Sequence, residues 1–167
     1  MSQQKPKQKA LFLDRDGVLN RKIEGDYVRT PSQFVWLDGA REGVLRLNKE
    51  GWLVVVVTNQ RGVARGLMTM SDVEEVHHTM QCDLAGVGAR VDAIYVCPHE
   101  DNECACRKPQ PGLILQAVEE WNIDLGASLL IGDDDRDVEA AWRAGVRAWK
   151  MPTDGNLLSE LGKALHE

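Results

Sequence analysis

Residues Leu11–Asn20 read LFLDRDGVLN. An apolar run stops abruptly at two aspartates, Asp14 and Asp16, set one residue apart and followed by Gly17. At the end of a buried parallel strand alternate residues point the same way, so Asp14 and Asp16 converge on one pocket while Arg15 points elsewhere. Two carboxylates in one pocket repel each other and lose hydration unless a cation or a shared proton compensates. Mg2+ resolves that conflict, being a hard ion that takes oxygen ligands and keeps room for water and phosphate. An Asp carboxylate also serves as a covalent nucleophile while a neighbouring carboxyl moves the proton. A plain strand-end turn, rich in Asp and Gly, would use the same letters.

Other stretches bear on that choice. The run LVVVVT, Leu53–Thr58, ends in Thr58 and Asn59, whose side chains can donate hydrogen bonds to a phosphate oxygen. Arg107 and Lys108 stand before a proline, and SLLIGDDDRD, Ser128–Asp137, ends in Asp133 and Asp137. Polar clusters at the carboxyl ends of strands are the geography of an α/β active site. Strand-like runs at 10–13, 53–57, 93–96, 129–131 and 147–150 alternate with helical patterns at 40–49, 71–85, 111–121 and 136–144 and a short one near the C-terminus. Such alternation predicts an α/β fold, a parallel sheet with helices on both faces. Ser71 with Glu74 at the capping-box position starts one helix, Pro111 opens another, and Gly145 ends a third.

A chain of 167 residues with 43% apolar content buries one sizeable core, so residues 10–167 read as a single domain behind a flexible tail, 1–9. The net charge of -6 and 5% aromatic content argue against a nucleic-acid partner, which would need a basic, aromatic-bearing track. MSQQKPKQKA has no apolar core, so it is no secretory signal, and no run approaches the roughly 20 residues of a membrane span. A cytoplasmic protein without a membrane partner, expected to be a monomer, is the reading.

In order and spacing, the clusters resemble the haloacid dehalogenase superfamily of phosphohydrolases, over about Leu11 to Gly145. The resemblance implies a doubly wound, Rossmann-like sheet. It further implies Asp14 as nucleophile, Asp16 as general acid and base, Thr58 as phosphate ligand, Lys108 as charge stabiliser, and Asp133 joining Asp14 and Asp16 around Mg2+. TNQRGVARG, Thr58–Gly66, and CPHEDNECACRKPQPG, Cys97–Gly112, are similar to the D-glycero-D-manno-heptose-1,7-bisphosphate 7-phosphatase branch, with histidinol-phosphate phosphatases as its nearest relatives. A small phosphorylated sugar is then the implied partner. Asp134 departs from the lysine that the heptose branch often carries there. The short interval between Asp16 and Thr58 leaves no space for a large cap, so loops must cover the site and set substrate choice, with Arg21–Thr30, Arg61–Arg65 and the cysteine loop as candidates.

Cys97, His99, Cys104 and Cys106 form a C-x-H-x4-C-x-C pattern, the ligand set of a tetrahedral structural Zn2+ site. Disulfides compete with that reading, but would leave His99 without a role and would be reduced in a cytosol. Because Arg107 and Lys108 directly follow Cys106, fixing the cysteine fixes where both cations point. Arg107 beside Lys108 suits a phosphate dianion. Arg61 and Arg65 reach toward a second anionic group, as a sugar bisphosphate offers, or are solvated loop charges. Among Asp133, Asp134, Asp135 and Asp137, Asp135 is expected to cap a helix and Asp137 to support Asp133 or fix Lys108. His77 and His78 read as surface or packing residues, and Cys82 as a small buried one.

Overall fold

The computed structural model describes residues 4–166. Strands β1 (Ala10–Leu13), β2 (Leu53–Asn59), β3 (Ala93–Cys97), β4 (Leu129–Gly132) and β5 (Arg147–Lys150) form one parallel sheet in the order β3-β2-β1-β4-β5. The order reverses at β1, which pairs with β2 on one side and β4 on the other. This doubly wound arrangement opens a crevice beyond the carboxyl ends of β1 and β4.

Alternation along the strands builds two cores. Leu11 and Leu13 of β1, with Val54, Val56, Leu129 and Ile131, face one side, against α1 (Ala40–Lys49), α2 (Met70–Gly86) and α5 (Leu157–Ala164). Ala10 and Phe12, with Val55, Val57 and Leu130, face the other, against α3 (Gly112–Trp121) and α4 (Asp135–Ala144). All four residues of β1 are fully buried, which is why the run reads as continuously apolar rather than alternating. Burying each large side chain contributes roughly 1.5–3 kcal/mol.

Thr69, not Ser71, caps α2: its hydroxyl accepts from Asp72 N at 3.1 Å, and Asp72 Oδ2 accepts from Thr69 N at 2.8 Å. Likewise Asp134, not Asp135, caps α4. A cap residue needs extended backbone, which Thr69 and Asp134 have, whereas Ser71 and Asp135 already lie inside the helical turn. Pro111 stands just before α3, and Gly145 ends α4 with φ 87°. Cys82 is exposed, with Sγ 3.6 Å from His78 Nε2, a correction of its expected burial. Residues 1–3 of the expected flexible tail lie outside the described residues. Further along that tail, Asn122 Nδ2 donates to the Lys5 carbonyl at 2.8 Å and Gln8 bridges to Ile123. Among the described residues no helix is long and apolar enough to cross a membrane.

Candidate active site

Asp14 and Asp133 follow the last residues of β1 and β4, whose Leu13 and Ile131 are in register. The two carboxylates therefore meet at the reversal of strand order. Gly17 makes their approach possible: its φ is 87°, and a Cβ there would lie 2.3 Å from Asp133 Oδ2. Gly132 does the same for the first turn of α4, since a Cβ on it would strike the Asp137 side chain. Asp14, Asp133 and Asp137 bring oxygens within 4.8 Å of one another.

Lys108 reaches this cluster from beyond β3. Its ammonium donates to Asp14 Oδ1 at 3.0 Å, Asp137 Oδ1 at 2.6 Å and the Val57 carbonyl at 2.9 Å, using all three of its protons. Burial opposes its charge, but Asp137 and Asp14 more than compensate and raise its pKa. Burial raises the pKa of Asp14 well above the ordinary value; the carboxylates of Asp137, Asp133 and Asp16 add to this, against Lys108. Asp133 Oδ2 accepts from Thr153 Oγ1 at 2.9 Å, while its Oδ1 is buried without a partner. Three carboxylates around one ammonium, with one orphaned oxygen, fit a hard divalent cation.

The Asp16 carboxylate lies outside that cluster of side-chain oxygens and has its own set of donors. Its Oδ1 accepts from Arg15 Nη2 at 2.9 Å and Asn20 Nδ2 at 3.0 Å, and its Oδ2 from Gln60 Nε2 at 3.0 Å. Burial would raise its pKa, but the Arg15 charge and the bonds from Asn20, Arg15 and Gln60 hold it below the ordinary value. Arg15 does point away from the metal cluster, but into the interior: it is fully buried, and Nη1 lies 3.0 Å from His77 Nε2. His77 is thus not a surface residue. Burial and the Arg15 charge, against Asp16, lower its pKa to about 3, so it is neutral and accepts from Arg15.

A cleft of about 370 Å³ opens over these groups, with Asp14, Asp16, Lys108 and Asp133 in its walls. Arg61, Arg65 and Arg107 line it too. Arg61 pairs with Glu100 at 3.3 Å and Asp101 at 3.2 Å, and Arg65 with Glu100 at 2.9 Å. Arg107 is buried; its Nε donates to Asp101, but its Nη1 is buried without a partner. Asn59 uses both ends of its amide on the Lys108 backbone, donating to its carbonyl and accepting from its N–H at 3.1 Å each. Its side chain positions Lys108, and the second proton of its amide nitrogen is left for a ligand in the cleft, which Asn59 lines. Thr58 is fully buried, with Oγ1 accepting from Gln60 Nε2 at 2.9 Å, so its own proton is left to donate. Lys22, Tyr27 and Arg136 also line the cleft. Lys22 and Tyr27 belong to the loop 21–30, a candidate for substrate choice in the sequence, although no motif picks out the two residues within it; Arg136 is hidden among the acids of DDDRD.

Cys97, His99, Cys104 and Cys106 gather with their ligand atoms within 4.8 Å. Cys97 and Cys104 sulfurs are 3.5 Å apart, Cys104 and Cys106 3.3 Å, and His99 Nδ1 lies 3.3 Å from Cys106 Sγ. Ligands of a tetrahedral Zn2+ site stand about 3.5–3.8 Å apart, so the four side chains could hold a metal. All four cysteines of the chain are free. Arg107 N donates to Cys104 Sγ at 3.3 Å and Gly112 N to the Ala105 carbonyl at 3.1 Å, tying the loop to the two cations that follow it.

A buried lysine among strand-end aspartates, under a cleft lined by arginines, is the chemistry of a phosphoryl-transfer hydrolase, and residues 105–165 match the HAD-hydrolase-like family model. The chain is 40% identical to D-glycero-beta-D-manno-heptose-1,7-bisphosphate 7-phosphatase of Bordetella bronchiseptica, over 87% of this chain and 81% of that one. It is 44% identical to the corresponding alpha-heptose phosphatase of Mycobacterium bovis, over 83% and 74% of the two chains. The crystal structure of D,D-heptose 1,7-bisphosphate phosphatase from B. bronchiseptica, complexed with magnesium and phosphate, superposes with a TM-score of 0.84 at 39% identity, covering 93% of this chain and 87% of that one. The chain belongs to the heptose-1,7-bisphosphate 7-phosphatase family of HAD-type phosphatases.

Proposed function

We propose that this phosphatase removes the 7-phosphate of D-glycero-D-manno-heptose 1,7-bisphosphate by way of a phosphoryl group carried on Asp14. The observation behind this reading is the contact of Lys108 with Asp14 beside the unpartnered Asp133 oxygen, beneath a cleft lined by Arg61, Arg65 and Arg107. Asp14 Oδ1 is engaged by Lys108 and by the Arg15 N–H, which leaves Oδ2 to attack phosphorus. Lys108 and the Thr58 hydroxyl hold phosphate oxygens as charge shifts onto them. Asp16 delivers a proton to the departing sugar oxygen, then takes one from the water that cleaves the aspartyl-phosphate. Free Asp16 is ionised, and the phosphate anion beside it raises its proton affinity on substrate binding. Asp14 and Asp133 would hold Mg2+, which would supply charge neutralisation as a Lewis acid when bound.

The distal phosphate is assigned to Arg107 Nη1, with Arg61 and Arg65 reaching it by exchanging carboxylate partners for phosphate. Histidinol phosphate carries an amine and an imidazole at that end, poor company for three guanidinium groups. The Cys97, His99, Cys104 and Cys106 cluster is proposed to hold a structural Zn2+, closed by four protein ligands. Four free thiols suit a reducing cytoplasm, where the protein is taken to act as a monomer. The test is phosphate release with Mg2+, comparing both anomers of the bisphosphate with histidinol phosphate. A kcat/KM at least about tenfold higher for one bisphosphate anomer is expected; preference for histidinol phosphate would overturn the assignment.

A further inference from the structure

The structure assigns a positioning role to His77 and Arg15: together they aim the Asp16 carboxylate at the leaving group and keep it out of the metal cluster. The inference deepens the proposed mechanism and rests on Asp16 being the proton donor.

Asp14 and Asp16 both line the cleft, only two residues apart. Nothing in their chemistry prevents Asp16 from turning toward a cation at Asp14 and Asp133, where a proton donor would be lost. Arg15 Nη2 holds Asp16 Oδ1 at 2.9 Å, and Asn20 Nδ2 holds the same oxygen at 3.0 Å. A guanidinium on a long side chain is a poor anchor unless it is itself fixed. His77, from the middle of α2, supplies that fixture with its neutral Nε2 at 3.0 Å from Arg15 Nη1. Both side chains are buried, Arg15 completely, so in the folded protein the acceptor for Nη1 is the histidine and not bulk water. Gln60 completes the grip from the opposite side, bonding Asp16 Oδ2 and Thr58 Oγ1 at 3.0 and 2.9 Å. One chain of contacts therefore runs from α2 through Arg15 to Asp16. His77 touches neither substrate nor reacting atoms and acts through Arg15.

A positioning role has a specific kinetic consequence. Acid assistance matters for an alkoxide leaving group and little for p-nitrophenolate, which departs without a proton. The ratio kcat/KM extends only through the first irreversible step, loss of the leaving group, and so is blind to the later hydrolysis of the aspartyl-phosphate. His77→Leu removes the acceptor and is expected to lower kcat/KM about tenfold or more for the sugar bisphosphate, and less than about threefold for p-nitrophenyl phosphate. His77→Gln places an amide oxygen near the Nε2 position and is expected to recover most of the sugar activity. A packing role alone would reduce both substrates alike and give no recovery with glutamine, which would overturn the inference. Asp16→Asn, run in parallel, separates the two layers. If it discriminates between the substrates and His77→Leu does not, the positioning claim fails while the acid assignment stands. If Asp16→Asn does not discriminate, both fail. Should His77→Leu not fold, nitrogen chemical shifts of His77 in the wild-type protein decide: a neutral ring protonated on Nδ1 is required, and a ring protonated on Nε2 refutes the contact.

Discussion

Lys108 shows how much one buried side chain can organise. Its ammonium is enclosed by Asp14, Asp137 and the Val57 carbonyl, so removing it strands the buried Asp137 carboxylate and the partly buried Asp14. Lys108→Met is expected to cost about 3–5 kcal/mol in metal-free protein, as for loss of one partner of a buried pair. Mg2+ should restore part of that loss by taking over the charge of Asp14; chemical denaturation with and without Mg2+ checks both statements, and a variant as stable as wild type contradicts them. The strand-end acids Asp14 and Asp133 are legible in the sequence, because an apolar run that breaks off in charge puts that charge at a strand terminus, where active-site groups of α/β folds collect. Lys108 is legible from its place between the cysteine loop and a proline. Asn59 is legible as a polar strand-end residue, but its hold on the Lys108 backbone 49 positions away is a contact that no local pattern encodes. His77 is legible in principle: buried Val73, Val76, His77, Met80 and Leu84 form the inward stripe of α2, and the histidine lies on it.

At the level of elements, the loop between β3 and α3 joins the Cys97, His99, Cys104 and Cys106 cluster to Lys108. The Cys104 sulfur accepts from Arg107 N, and Asn59 at the end of β2 clasps the Lys108 backbone. Cys106→Ser should therefore reduce zinc content and lower kcat about tenfold or more, since misplaced positioning groups are costly; metal analysis beside turnover checks this, and full activity in zinc-free protein would refute it. The strands and most helices are readable from periodicity, with β1, α1 and β5 at the expected bounds. The starts of α2 and α4 are not, because overlapping candidates, Thr69 with Asp72 and Ser71 with Glu74, obey the same capping rule. Only the backbone conformation at Thr69 selects between them.

Across the whole molecule, the reversal of strand order gathers residues from distant parts of the chain into one cleft, and α2 supports that cleft from beneath through His77. This support carries a pH signature. The His77 pKa falls from 6.5 to about 3 on folding, so its neutral form contributes stability that is complete above 6.5 and is lost as pH falls toward about 3. The contribution changes by up to about 1.4 kcal/mol per pH unit in that window. Compared with His77→Gln, wild-type protein should lose stability more steeply as pH falls from about 6 to about 4; parallel melting curves would contradict the neutral, buried histidine. The doubly wound topology is legible from the alternation of elements, and so are most of the charged groups of the cleft, but the single side chains that the surrounding segments add to it are not. Lys22 and Tyr27, from the loop after β1, and Arg136, from the first turn of α4, enter it because these segments meet over β1 and β4.

The proposed reaction turns on a phosphoryl group carried by Asp14. Rapid quenching during turnover of the bisphosphate, followed by borohydride reduction and peptide mass spectrometry, would trap and locate it. Modification at Asp14 alone is expected, absent in a folded but inactive Asp14→Asn variant. Steady phosphate release from Asp14→Asn, or a phosphoryl group found on any other residue, would contradict the covalent mechanism.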